Sequence, residues 1–195
     1  MLLVGNTTGG DNTAVGESAL AANTTASNNA AFGNDSLAAN TTGELNTGLG
    51  KNALAGNTTG SSNVSVGTNA LIANTTASNN TAVGFASLKG NTTGASNVAV
   101  GANALDANTT ASDNTAVGTS ALGANTTGAS NTSIGDDTML SNITGSNNVA
   151  LGAGALASNS SADNNTAVGR SALLNTTTGT RNVAMGALAL DANTT

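Results

Sequence analysis

Side chains able to do covalent or acid–base chemistry are scarce in this 195-residue chain, which has no His, no Cys, four Lys and Arg together, and ten Asp and Glu. Nucleophilic catalysis ordinarily needs His, Cys or a Lys of lowered pKa. The two lysines, Lys51 and Lys89, stand at variable positions. Asp136 and Asp137 follow Gly135 in a loop and read as solvated surface. Gly9-Gly10-Asp11-Asn12 could serve as a calcium turn but does not recur. No glycine-rich segment leads into a basic residue as a phosphate loop requires. The expectation is no enzyme: no catalytic residue, no cofactor and no metal ligand.

Asparagine is what recurs. One column, Asn6, Asn23, Asn40, Asn57, Asn74, Asn91, Asn108, Asn125, Asn142, Asn159 and Asn193, opens the pattern N-x-[ST]; Thr176 breaks it, and Asn175 supplies a displaced copy. This is the N-glycosylation pattern, so these are candidate acceptors. The alternative is a turn asparagine followed by stacked threonines, since glycans spaced one coil apart, about 4.8 Å, would crowd. A second column is invariant: Asn12, Asn29, Asn46, Asn63, Asn80, Asn97, Asn114, Asn131, Asn148, Asn165 and Asn182. Stacked identical amides can hydrogen-bond from layer to layer and form a structural ladder. Capping of a turn is the simpler reading.

The scaffold behind these columns is a strict repeat. A glycine returns every 17 residues from Gly16 to Gly186, eleven times, without insertion or deletion. A stack in which each coil lies on the last enforces such a count. Before the glycine stands an apolar residue: Val15, Phe32, Leu49, Val66, Val83, Val100, Val117, Ile134, Leu151, Val168, Met185. Five residues after that position stand Leu20, Leu37, Leu54, Leu71, Leu88, Leu105, Leu122, Met139, Leu156, Leu173 and Leu190. As the only consistently large apolar columns, both are expected to form the inner core, so that Val83→Asp and Leu88→Asp would both be severe. Two columns of small residues, headed by Ala14 and Ala19, imply a thin interior or contact with another chain. The residue after the glycine varies freely, from Glu17 to Ala187, and is expected to face solvent. In Asn12-Thr13-Ala14-Val15 the period is two, which argues for strand, and Asn, Thr and Gly all disfavour helix. The expected fold is all-β: a parallel β-solenoid (β-roll or β-helix) with one 17-residue coil per repeat and about eleven coils. It would be a single repeat domain over residues 1–195, running from Asn6 to Thr195, about 53 Å long at about 4.8 Å per coil.

Composition narrows the partners. A net charge of −6 argues against nucleic acid. Met1-Leu2-Leu3-Val4 lacks the basic flank and long apolar run of a signal peptide, and no stretch is long and apolar enough for membrane insertion. Aromatics are limited to Phe32 and Phe85, so a conventional core cannot be assembled. Proline is absent, which suits a backbone whose N–H groups are all needed in ladders.

The strings NTAVGESALAANTTASN and NTAVGTSALGANTTGAS resemble the repeats of phage and bacterial tail-fibre-like proteins. They are also similar to the N-x-[AV]-[VI]-G head repeats of trimeric autotransporter adhesins. The resemblance covers Asn6 to Thr195. It implies a parallel β-roll, a homotrimer, and an extracellular place on a cell surface or virion. Val15-Gly16-Glu17-Ser18-Ala19-Leu20 also resembles, once per repeat, the hexapeptide of left-handed β-helices; acyltransferases of that fold use a histidine base.

These readings lead to a structural fibre or filament shaft that extends or spaces an adhesive tip. Its partner would be itself, as a lateral trimer or an end-to-end filament, with a surface receptor or glycan at the tip. The small Ala14 and Ala19 columns are the expected chain–chain contact. One alternative is a glycan-coated filament, and another a disordered low-complexity linker. A third is an ice-binding solenoid carrying the row Thr7 to Thr126 and its neighbour, the row from Thr8 to Thr195. Adjacent strand residues point to opposite faces, so only one of those rows is expected outside.

Overall fold

The computed structural model describes residues 5–195, so the readings of Met1 to Val4, and of Leu3 as part of the leucine column, lie outside it. Eleven three-residue strands run from β1 (Thr13–Val15) to β11 (Val183–Met185), one per coil. They form one parallel sheet in chain order. The register is that of the repeat: Thr13 pairs with Ala30, Ala14 with Ala31 and Val15 with Phe32, 17 residues on. The chain is a β-solenoid, all-β as expected, with no helix among the described residues.

Strand covers only one side of each coil. The rest is turns whose backbones also bond to the next layer, as in Leu37 N–H to Ala53 C=O at 3.0 Å and Thr41 N–H to Thr58 C=O at 2.9 Å. A typical coil turns its corners at three left-handed residues, for example Asn69 (φ 60°), Leu71 (50°) and Asn79 (63°). Asn accepts that conformation readily; Leu does not. A left-handed L-residue costs about 1–2 kcal/mol. Complete burial of a leucine returns about 1.5–3 kcal/mol, so the inward leucine holds its own corner. The repeat glycine lies at φ 124–139°, and a Cβ on Gly101 would collide with the carbonyl of Gly118 in the next layer. Only glycine permits that stacking distance.

The core contains one large side chain per layer. Leu20 to Leu173, with Met139 in the series, are 0–1% exposed and pack on the Ala14 and Ala19 columns. Leu190, in the last described coil, is 54% exposed. The pre-glycine column does not belong to the core: Val15 is 54% exposed, Leu49 48%, and none of the column is buried. The expectation of two inward apolar columns is corrected here. Strand alternation turns Ala14 and Asn12 to one side and Thr13 and Val15 to the other. The interior, already filled by one leucine per layer, accepts the small side. For the same reason the Ala14 and Ala19 columns are interior and unavailable as a chain–chain contact. Where serine replaces alanine, its hydroxyl is satisfied inside: Ser36 Oγ donates to Gly48 C=O at 3.0 Å and Ser65 Oγ to Ala70 C=O at 2.8 Å.

Candidate functional site

Both asparagine columns point inward and form two ladders. In the Asn12 column each side-chain Oδ1 accepts the backbone N–H of the asparagine one layer on. Asn97 Oδ1 receives Asn114 N–H at 3.0 Å, and Asn114 Oδ1 receives Asn131 N–H at 3.0 Å. The same contact runs unbroken from Asn12 and Asn29 to Asn165 and Asn182. In the Asn23 column the amide Nδ2 donates to the Oδ1 one layer back, as from Asn108 to Asn91 at 2.8 Å and Asn125 to Asn108 at 3.1 Å.

The two ladders meet on a third column that sequence reasoning missed. Ala26, Gly43, Gly60, Ala77, Gly94, Ala111, Gly128, Gly145, Ala162 and Gly179 are always alanine or glycine, and all are buried. Their carbonyls each lie between the two asparagine rows. Gly128 C=O accepts Asn114 Nδ2 and Asn125 Nδ2, both at 2.9 Å. Gly60 C=O accepts Asn46 Nδ2 and Asn57 Nδ2, both at 2.8 Å. The restriction to alanine and glycine was the available signal. In the last described coil Asn182 Nδ2 and Asn193 Nδ2 are buried without partners.

This geometry corrects the glycosylation reading. Asn23, Asn40, Asn57, Asn74, Asn91, Asn108, Asn125, Asn142 and Asn159 are 0% exposed, and the nitrogen that would carry a glycan is hydrogen-bonded inside the coil. Asn6 Nδ2 is likewise held, by Gly9 C=O at 2.7 Å, and Asn193 Nδ2 is buried. Of the series only the displaced Asn175 is an exposed residue, with its Nδ2 bonded at the surface to Asp191 C=O at 2.8 Å.

Outside, three surfaces differ from their surroundings. The first is the outer face of the sheet, where the Thr13 and Val15 columns stand side by side. Among its exposed members are Phe32, Leu49, Val64, Ile134, Val149 and Met185. The second is the threonine edge. Asn23 and Ala26 both point inward, so the chain bends outward between them and carries Thr24 and Thr25 on the outside together. The expectation that only one threonine row can face out is corrected in part: the second threonine is exposed in every Thr-Thr layer, while the first is exposed at Thr7 and Thr24 and half-buried from Thr41 to Thr126, because this segment is a bend and not a strand. The third is a shallow open depression of about 660 Å³ lined by Asp106, Ser120, Gly123, Leu140 and Ile143, among others. There Gly123 leaves out a side chain between Asp106 and Leu140. Burial holds the Asp106 carboxyl above its usual range, against the opposing pull of backbone N–H groups and Lys89.

The described residues hold no group of three or more His, Cys, Asp or Glu placed to share a metal ion. The described residues form no helix long and apolar enough to cross a membrane. No protein-family model, curated protein or solved structure matches the chain.

Proposed function

We propose that this chain is a stiff segment of an extracellular fibre shaft of the tail-fibre or adhesin kind, working without catalysis and assembled side by side with further copies of itself. The observation that supports the reading is the outer sheet face. Its eleven strands, at about 4.8 Å spacing and about 10 Å of strand length, make a strip of roughly 500 Å². The Val15 column is apolar in every coil, whereas the Thr13 column beside it is threonine in six of the eleven, so the apolar part of the strip lies within the range of the largest apolar patch a soluble monomer leaves open, about 300–600 Å². The strip runs the whole length of the rod and is narrow, and three rods around an axis would each turn it inward and cover it with two neighbours at once. Closed symmetry of this kind avoids open-ended aggregation. The partner surface is therefore the Val15 column and not the alanine columns.

Sedimentation of the whole chain tests the proposal. A trimer is expected for the wild type, and single folded chains for Val83→Lys combined with Val100→Lys. A wild-type monomer at micromolar concentration, or a double variant that stays trimeric, overturns it.

A further inference from the structure

The threonine edge is a regular lattice of hydroxyls, and we propose that it binds a lattice of the same kind: the surface of ice. Eight successive layers carry the pair Thr-Thr, from Thr7-Thr8 to Thr126-Thr127. The inner member of each pair is pinned. Thr41 Oγ1 donates to Thr58 C=O at 2.9 Å, Thr58 to Thr75 C=O at 3.0 Å, and Thr92 to Thr109 C=O at 3.0 Å. One rotamer is thereby repeated from layer to layer. The outer members, such as Thr76 and Thr93, are exposed and keep their hydroxyls free for water.

The flanks leave this edge accessible to a flat solid. The residue before each inward asparagine is Ala or Gly in all these layers, among them Ala22, Gly56, Gly90 and Ala124. The residue after each pair is a buried Ala or Gly, apart from the part-buried Gly9 of the first layer. Within two residues of the eight pairs the one charged residue is Glu44.

Spacing supports the match. Water oxygens joined tetrahedrally at about 2.75 Å place second neighbours about 4.5 Å apart. The layers of a parallel stack repeat at about 4.8 Å. The mismatch of about 0.3 Å per layer keeps three or four consecutive threonines within about 1 Å of ice oxygens, well inside the reach of a flexible hydroxyl contact. A surface that orders water in this pattern joins a growing ice front at no further ordering cost, and the bound rods then obstruct its advance.

The edge lies apart from the apolar sheet face, so the two proposals fail independently. The test is ice-recrystallisation inhibition by the whole chain, together with ice-affinity partitioning. Wild-type protein should inhibit and enter the ice. Thr76→Tyr with Thr93→Tyr should raise the inhibitory concentration by about tenfold, equivalent to about 1.4 kcal/mol, with an unchanged circular dichroism spectrum. Val83→Lys with Val100→Lys should retain activity per rod whatever its oligomeric state. Exclusion of the wild type from ice overturns the inference, and so does full activity in the tyrosine variant. Retention on an insoluble polysaccharide without ice activity would reassign the edge to a repeating sugar chain and also overturn it.

Discussion

Replacing Asn114 by leucine removes one rung of the first ladder while keeping the number of side-chain heavy atoms, and the structure predicts which groups suffer. Asn114 Oδ1 accepts Asn131 N–H at 3.0 Å and Asn131 Nδ2 at 3.2 Å, and its own Nδ2 donates to Gly128 C=O at 2.9 Å. After the change, Asn131 Nδ2 keeps Gly145 C=O at 2.8 Å, and Gly128 C=O keeps Asn125 Nδ2 at 2.9 Å. The buried backbone N–H of Asn131 has no second acceptor. A stranded buried donor costs about 1–3 kcal/mol. Asn125→Leu in the other ladder strands no donor, because Asn142 Nδ2 keeps Gly145 C=O at 3.0 Å, but it leaves the buried acceptor Asn108 Oδ1 without Asn125 Nδ2. An amide oxygen short of a donor is tolerated more readily than an orphaned N–H, so its cost falls toward the lower end of the same range, about 1 kcal/mol. Thermal unfolding followed by far-UV circular dichroism should therefore rank Asn114→Leu below Asn125→Leu. The scale is about 2–4 °C for each kcal/mol in a chain of this size. The natural sequence already hints at the asymmetry: the first column is asparagine in every coil, while the second accepts Thr176. Equal losses, or the reverse order, would refute the assignment of the backbone N–H as the critical partner.

Other outcomes follow from the same geometry. Leu88→Asp places an unpaired charge at a site that is 0% exposed and should abolish folding, losing about 4 kcal/mol or more. Val83→Asp, on the outer face, should change the melting temperature of single chains by no more than about 0.5 kcal/mol equivalent; comparable losses for both would put the valine column back inside. Asp106 has a folded-state pKa raised by burial. The folded chain therefore binds its proton more tightly than the unfolded chain, and stability at this site rises as pH falls through the folded pKa. Asp106→Asn should remove that increment in melts recorded across the acidic range, and an unchanged pH profile would contradict it. In a glycosylating host, peptide mass mapping of the N-x-[ST] series should find any glycan at Asn175 only, and occupancy at Asn91 or Asn108 in folded protein would be the contrary result.

The repeat length, the parallel stack and the register were all legible, because a 17-residue recurrence without a single gap has few physical solutions. The inward leucine was legible for the same reason. Misreading the valine column came from ranking residues by size alone. Its members range from Val15 to Phe32 and Met185, and a closed slot does not accept such changes of volume. The leucine column, by contrast, departs only to Met139. Parity carried the same message: Asn12 and Ala14 share a side of the strand, so an inward ladder requires an inward alanine. The buried Asn23 column could not be read from its motif, since N-x-[ST] describes a glycan acceptor and an internal amide ladder equally well. The outward threonine pair depended on a bend between two inward residues, which strand alternation does not anticipate.

Because every coil bonds only to the layers before and after it, the molecule has a natural quantum of length. Duplicating or deleting 17 residues in frame joins matching layers and changes the rod by one rise, about 4.8 Å. A change that is not a whole multiple of 17 shifts all later columns, turning leucines and asparagines outward. Unequal recombination within the gene would thus be filtered by folding itself, leaving variants that differ only in reach. Such a chain behaves as a ruler whose graduations are set by its backbone and whose total can drift between lineages without redesign of a single contact.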